Sequence, residues 1–144
     1  GTPYAKQAWS PHQDATYVDS PYGTYMQMFI FLDPHGANNG GIFNYPGSHR
    51  ENKLPYDYMP SWAEEFDEDG ISHPGWKVDV PERYEKVSIA AGVGTVMLQH
   101  GNLIHGSYPN LSEQSRAMYS IAYLNEGTVI NKGKASVKIP VSVE

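Results

Sequence analysis

A chain of 144 residues is long enough for one domain with a real core and short for two. Its net charge of -6 argues against a phosphate-backbone partner, so nucleic acid is excluded as the main ligand. With no Cys there is no disulfide, thiolate-held zinc, iron–sulfur cluster or thiol nucleophile, and any metal must rest on His and carboxylate. No apolar run approaches the roughly 20 residues of a membrane span, and the N-terminus shows no basic region followed by an apolar stretch. The expectation is a cytoplasmic protein with no membrane partner. Eleven Tyr, 14 Gly and 11 Pro favour an all-β fold with many turns over a helical bundle.

Taken in chain order, "SPHQDATY" (10–17) comes first, with little sign of helix. On a strand, residues i and i+2 share a face, so His12 and Asp14 would project together while Gln13 points away. "GTYMQMFIFLD" (23–33) predicts a strand whose second half is apolar on both faces, as in a sheet interior. Tyr25 and Gln27 alternate along it, and one face should look into a barrel. Asn38, Asn39, Gly40 and Gly41 predict a tight turn. "GGIFNYPGSHR" (40–50) predicts a strand that stops at Pro46-Gly47, with His49 fixing the turn that follows.

Residues 51–86 read as a long insertion of the lid type, with an acidic cluster at Glu64, Glu65, Asp67, Glu68 and Asp69 and a short helix at 61–68. "KVSIAAGVGTVMLQHGNLIHGS" (86–107) divides into short strands at its glycines. His105 follows an apolar pair and precedes Gly-Ser. His100 is its rival as a ligand, although the two should face opposite sides of one strand. "SRAMYSIAYLNEG" (115–127) is the next strand. Arg116 opens it, which would make the two strands hairpin neighbours with His105 and Arg116 facing one cavity. "KASVKIPVSVE" (134–144) alternates as an edge strand or tail. His35 and His73 lie in Gly/Pro-flanked loops and are expected to be exposed. Antiparallel sheets folded into a jelly roll are the natural class, over a single domain spanning 1–144 with the insertion at 51–86.

Three stretches, "HQD", "FLDPHGANNGGIFNYPGSHR" and "LIHGSYPNLSEQSRAMYSIAYL", together resemble the phytanoyl-CoA dioxygenase family of iron(II)- and 2-oxoglutarate-dependent oxygenases. The resemblance implies a double-stranded β-helix of the cupin type. It also implies that His12, Asp14 and His105 are the catalytic metal ligands, and that Arg116 holds the tail of 2-oxoglutarate with help from the Ser107 hydroxyl. Tyr25 and Gln27 are candidates to touch the same cosubstrate. With Asp at position 14 the carboxylate ligand is in place, where related halogenating enzymes carry Gly or Ala, so hydroxylation is the implied outcome. Fe(II), 2-oxoglutarate and O2 are then the expected cofactors, succinate a product, and a small molecule the substrate. Family members usually carry a region ahead of the His-x-Asp, and this chain starts shortly before it. An N-terminal wall of the fold is therefore expected to be missing, and an exposed barrel edge invites pairing into a homo-oligomer.

The residue types suit the chemistry. Two neutral imidazoles and one carboxylate on one face of an octahedral iron leave three positions for a bidentate 2-oxo acid and oxygen. A far carboxylate inside a pocket calls for a planar, two-pronged cation, which Arg supplies better than Lys. Two alternatives stay open at this level: a truncated, non-catalytic β-barrel that still holds metal, and a cupin-type metalloenzyme that does not use 2-oxoglutarate. Arg116 and Ser107 favour the oxygenase.

Overall fold

The computed structural model describes residues 7–19, 21–59, 75–126 and 129–130. Among these residues are eleven strands and two short 3-10 turns. The strands are β1 (Trp9–His12), β2 (Val18–Asp19), β3 (Tyr25–Phe31), β4 (Ile42–Asn44), β5 (Tyr56–Met59) and β6 (Gly75–Val78), then β7 (Val87–Ser88), β8 (Val96–His100), β9 (His105–Ser107), β10 (Met118–Leu124) and β11 (Val129–Ile130). They form a four-stranded sheet β1-β9-β4-β7, a three-stranded sheet β10-β3-β8, and two pairs, β11-β2 and β5-β6. All pairings are antiparallel. This is the jelly-roll class expected from the turn-rich, Tyr-rich composition. No helix among the described residues is long and apolar enough to cross a membrane.

The core lies between the two larger sheets. β3 is the centre of its sheet, and its side chains at Tyr25, Phe29 and Phe31 are buried, which accounts for the apolar run predicted at 23–33. Ile42 and Phe43 of β4 are buried as well, with Ile104 fully buried just before β9. The glycines of 86–107 do divide that stretch, giving β7, β8 and β9 with Gly92, Gly94 and Gly101 in the connections. The turn at 38–41 forms as predicted. Gly40 has φ +84, and a Cβ on Gly41 would lie 2.4 Å from the Gly36 carbonyl oxygen, so neither position accepts a side chain without strain.

Three expectations need correction. The 51–86 stretch, expected as a loop with a short helix, contains β5 and β6, which pair with each other, and Val78 of β6 is only 2% exposed. Too few residues alternate there for the pattern to stand out in sequence. The acidic cluster, the helix at 61–68, His73 and the strand or tail at 134–144 lie outside the described residues. Second, β9 and β10 are not hairpin partners: β9 pairs with β1 and β4, whereas β10 pairs with β3. The chain between Ser107 and Met118 crosses from one sheet to the other. Third, His100 and His105 do not share a strand. They end β8 and begin β9, in different sheets.

Candidate metal centre

His12 and His105 are register partners across the β1–β9 ladder, with an irregularity between Trp9 and His12. The ladder sets their rings 4.3 Å apart, centroid to centroid, tilted by 49°. Asp14 arrives differently from the way strand alternation predicts. β1 stops at His12, and Asp14 opens a 3-10 turn over Asp14–Tyr17. The turn folds the carboxylate back so that His12 Nε2 lies 3.5 Å from Asp14 Oδ1, and His105 Nε2 lies 3.5 Å from Oδ2. All three side chains are buried. The turn is held by the Ala15 N–H, which donates to the Gly101 carbonyl at 2.8 Å, and by the Thr16 hydroxyl bonding the Gln13 carbonyl.

Each imidazole is locked by its other nitrogen. His12 Nδ1 lies 2.7 Å from the Ser10 carbonyl oxygen and His105 Nδ1 lies 3.0 Å from that of Leu103. A carbonyl can only accept, so both rings carry a proton on Nδ1, which leaves Nε2 as the nitrogen that faces Asp14 and is free to bind an ion. Gln99 Nε2 reaches Asp14 Oδ2 at 3.4 Å and steadies it. Burial resists protonation of His12, but the hydrogen bond and charge of Asp14 outweigh it and hold His12 above its ordinary value. Burial pushes His105 down to about 4. Asp14 stays below the usual carboxylate range because its two imidazole neighbours, His105 first, outweigh the cost of burying its charge.

The donor set fits a divalent ion. The ligand atoms of His12, Asp14 and His105 all lie within 4.8 Å of one another. The 3.5 Å imidazole–carboxylate separations are close to the spacing of about 3 Å that adjacent ligands take around an ion bound at about 2.1 Å. Two imidazoles and one carboxylate without thiolate match iron of the non-haem type.

Gln13, between the two ligands in sequence, points away from them as expected. It is 1% exposed, donates to the carbonyls of Asn102 and Asn52, and accepts the Leu54 N–H. Ser107, two residues past His105, is buried, and its Oγ accepts the Trp9 N–H at 3.2 Å. That leaves its hydroxyl proton to donate. Arg116 is half-buried; among the described residues its one hydrogen bond runs to Met118 Sδ at 3.4 Å, and no carboxylate pairs with it. Gly40 lies against it, the position of a Cβ there falling 3.4 Å from Arg116 Nε. Tyr25 and Gln27 share a face of β3, with Gln27 Nε2 donating to the Tyr25 hydroxyl at 2.7 Å. Burial, and then the Asp14 charge, push Tyr25 up to about 12, so it keeps its proton.

His100 stands apart from the cluster. Its Nδ1 accepts the Asn102 N–H at 3.0 Å, and its ring sits against Tyr22 and His49. Sequence reading missed three residues. Gln99 braces Asp14. Ser48 is fully buried and its Oγ accepts the Ile104 N–H at 2.9 Å, just ahead of His105. His35, expected to be exposed, is 4% exposed. The only signal for any of them was the presence of Gln99 and Ser48 inside motifs already singled out.

A jelly roll that gathers two histidines and an aspartate on one inner face defines a class, the β-barrels with the donor set of mononuclear non-haem iron proteins. The phytanoyl-CoA dioxygenase (PhyH) family profile matches residues 2–118, and the chain belongs to that family. It is 31% identical over 111 residues to a phytanoyl-CoA dioxygenase of Arabidopsis thaliana, an alignment covering 77% of this chain and 36% of that protein. It is 33% identical over 112 residues to a probable alpha-ketoglutarate-dependent hypophosphite dioxygenase of Stutzerimonas stutzeri, covering 78% and 38%. Among solved structures, EvdO2 from Micromonospora carbonacea var. aurantiaca in complex with 2-oxoglutarate shares the fold at a TM-score of 0.64 and 22% identity, covering 89% of this chain and 49% of that one. The chain thus spans well under half the length of the curated relatives it matches.

Proposed function

We propose that this chain forms the metal-binding barrel of an Fe(II)- and 2-oxoglutarate-dependent oxygenase that hydroxylates a small organic molecule. His12, Asp14 and His105 would hold the iron. Arg116 and Ser107 would bind the far carboxylate of 2-oxoglutarate, with Tyr25 and Gln27 donating into the same cavity. The observation that carries the reading is the tautomer lock. Both rings spend Nδ1–H on a backbone carbonyl and turn Nε2 toward one aspartate, an arrangement that orients ligands and raises their basicity. When bound, iron with 2-oxoglutarate and O2 supplies oxidative decarboxylation to succinate coupled to hydroxylation of the substrate.

The protein's own part is binding and orientation. Gln99 holds the Asp14 carboxylate, so its two oxygens need no rearrangement as an ion enters. Arg116 offers a two-pronged donor that no carboxylate among the described residues occupies. Ser107 offers a hydroxyl proton from the strand that carries His105. Tyr25, neutral at physiological pH, offers a phenolic proton. Family membership supports the cosubstrate.

Anaerobic addition of Fe(II) and then 2-oxoglutarate should give the weak visible charge-transfer band of a chelated 2-oxo acid. Arg116→Ala should abolish the band at moderate cosubstrate concentration, whereas His100→Ala should leave it largely intact. A colourless wild-type mixture would sink the reading. Succinate released in air without added substrate would show turnover.

A further inference from the structure

Arg116 lies in the connection just ahead of β10, and the loop that joins β3 to β4 grips the chain on both sides of it. Asp33 Oδ2 accepts the Ser115 hydroxyl at 2.5 Å and the Ala117 N–H at 2.8 Å. Ser115 and Ala117 are the two sequence neighbours of Arg116, so one carboxylate oxygen spans the residue between them. The Ala117 carbonyl answers in the other direction, accepting the N–H groups of Leu32 and Asp33 at 3.0 and 3.2 Å. Asn39, which is buried, adds a third hold. Its Nδ2 donates to the Ser115 carbonyl at 3.3 Å and to that of Pro34 at 2.7 Å, while its Oδ1 accepts the Gly36 N–H at 3.0 Å.

The same loop seats the side chain. A Cβ on Gly40 would lie 3.4 Å from Arg116 Nε, so Nε packs on bare backbone. Asp33 is a costly choice for this place on charge alone, since an anion near Arg116 lowers the positive potential that draws a carboxylate. Its oxygen is nevertheless spent on Ser115 and Ala117 and not on the guanidinium, whose one hydrogen bond among the described residues runs to Met118 Sδ. The Ser115 hydroxyl first, and then the Ala117 N–H, hold the Asp33 carboxyl below its usual range. Bonds to an ionised acceptor are the strong kind, so Asp33 clamps the backbone around Arg116 and leaves its fork open.

We propose that Asp33 is the positioning residue of Arg116: by fixing the peptide from Ser115 to Ala117 it aims the guanidinium at the far carboxylate of a dicarboxylic 2-oxo acid. The assignment rests on the 2-oxoglutarate reading above. It makes selectivity for dicarboxylic over monocarboxylic 2-oxo acids depend on a residue that touches neither the metal nor the cosubstrate. Its effect runs against its charge. Were Asp33 only a nearby anion, neutralising it would tighten the binding of a dianion; as a clamp, its removal weakens that binding.

Two substitutions separate this role from a structural one. Asp33→Ala removes the acceptor, whereas Asp33→Asn removes the charge and keeps an oxygen where Oδ2 takes both bonds. The Fe(II)-loaded proteins are titrated anaerobically with 2-oxoglutarate and with 2-oxopentanoate, which has the chelating end but no far carboxylate. Asp33→Ala should weaken 2-oxoglutarate about tenfold and leave 2-oxopentanoate unchanged, while Asp33→Asn should stay within about threefold for 2-oxoglutarate. In the Arg116→Ala protein, adding Asp33→Ala should cause no further loss, because the clamp acts only through Arg116. Equal losses for both acids, unchanged or tighter 2-oxoglutarate binding in Asp33→Ala, a loss as large in Asp33→Asn, or a full further loss on top of Arg116→Ala each overturn the proposal. 15N relaxation of the Zn(II)-loaded proteins reads the clamp without the cosubstrate. The Arg116 Nε–H should be ordered in the unsubstituted protein and in Asp33→Asn and mobile in Asp33→Ala; equal order in all three overturns the proposal. No charge-transfer band in the unsubstituted protein overturns the cosubstrate reading and this proposal together, whereas a band that depends on Arg116 but not on Asp33 overturns this proposal alone.

Discussion

Gln99 shows how much of the metal centre depends on residues that are not ligands. It is 1% exposed and faces Asp14 Oδ2 at 3.4 Å. Replacing it with Leu keeps the volume and removes the donor, so the carboxylate loses its orientation. Fe(II) affinity should fall about 10- to 100-fold by anaerobic calorimetry, the usual cost of losing a group that braces a ligand. Ser48 acts one step further out. Ser48→Ala leaves the Ile104 N–H buried without its acceptor, and should cost about 1–3 kcal/mol in urea unfolding while the ligand set survives. The ligands themselves were legible because their residue types and order are specific. Gln99 and His35 were not, because a Gln on a strand or a His between Pro and Gly looks the same in sequence whether it faces water or the interior. Their burial comes from segments distant in the chain: Asp14 lies 85 positions from Gln99.

Gly106, at the centre of β9, is the tightest point among the elements. A Cβ there would lie 2.4 Å from Phe43 Cζ and 2.5 Å from the Trp9 carbonyl oxygen. Gly106→Ala must therefore push β9 off either β1 or β4, moving His105 and Ser107 together. A loss of about 2–3 kcal/mol is expected, together with loss of iron binding; near-normal melting and metal affinity would mean the ladder is looser than described. The strands from 23 to 44 and from 96 to 124 could be read from apolar runs and glycine breaks. What could not be read is where β1 ends, since His12 and Asp14 meet by a strand-to-turn break and not by alternation. Nor could β5 and β6 be read, being four residues each and next to a charged stretch.

At the scale of the molecule, the crossing between β9 and β10 decides the site. It puts His105 on β9 of one sheet and Arg116 in the connection just ahead of β10 of the other, so their approach depends on how the sheets pack. Sequence reading expected the two residues on hairpin partners, because hairpin pairing is the default for successive strands. Acid should act on the same packing. His35 has a proton affinity near 4 folded and 6.5 as the reference. Between those values the unfolded chain binds a proton that the folded chain refuses, so this stability is present above pH 6.5 and lost as pH falls toward 4. The Tm of the metal-free protein should drop across that window, and less steeply in His35→Gln. On its outer side the sheet β10-β3-β8 exposes Met26, Val96, Leu98, Tyr119 and Tyr123 at 41–63%, a patch that should limit solubility. Leu98→Lys with Tyr119→Lys should reduce light scattering without changing metal affinity.

The most direct test is a crystal grown anaerobically with Fe(II) and 2-oxoglutarate, with anomalous data collected at the iron edge. One iron peak is expected, within bonding distance of His12 Nε2, an Asp14 oxygen and His105 Nε2, with the far carboxylate of 2-oxoglutarate on Arg116. Iron held by any other residues, or 2-oxoglutarate seated away from Arg116, would contradict the account.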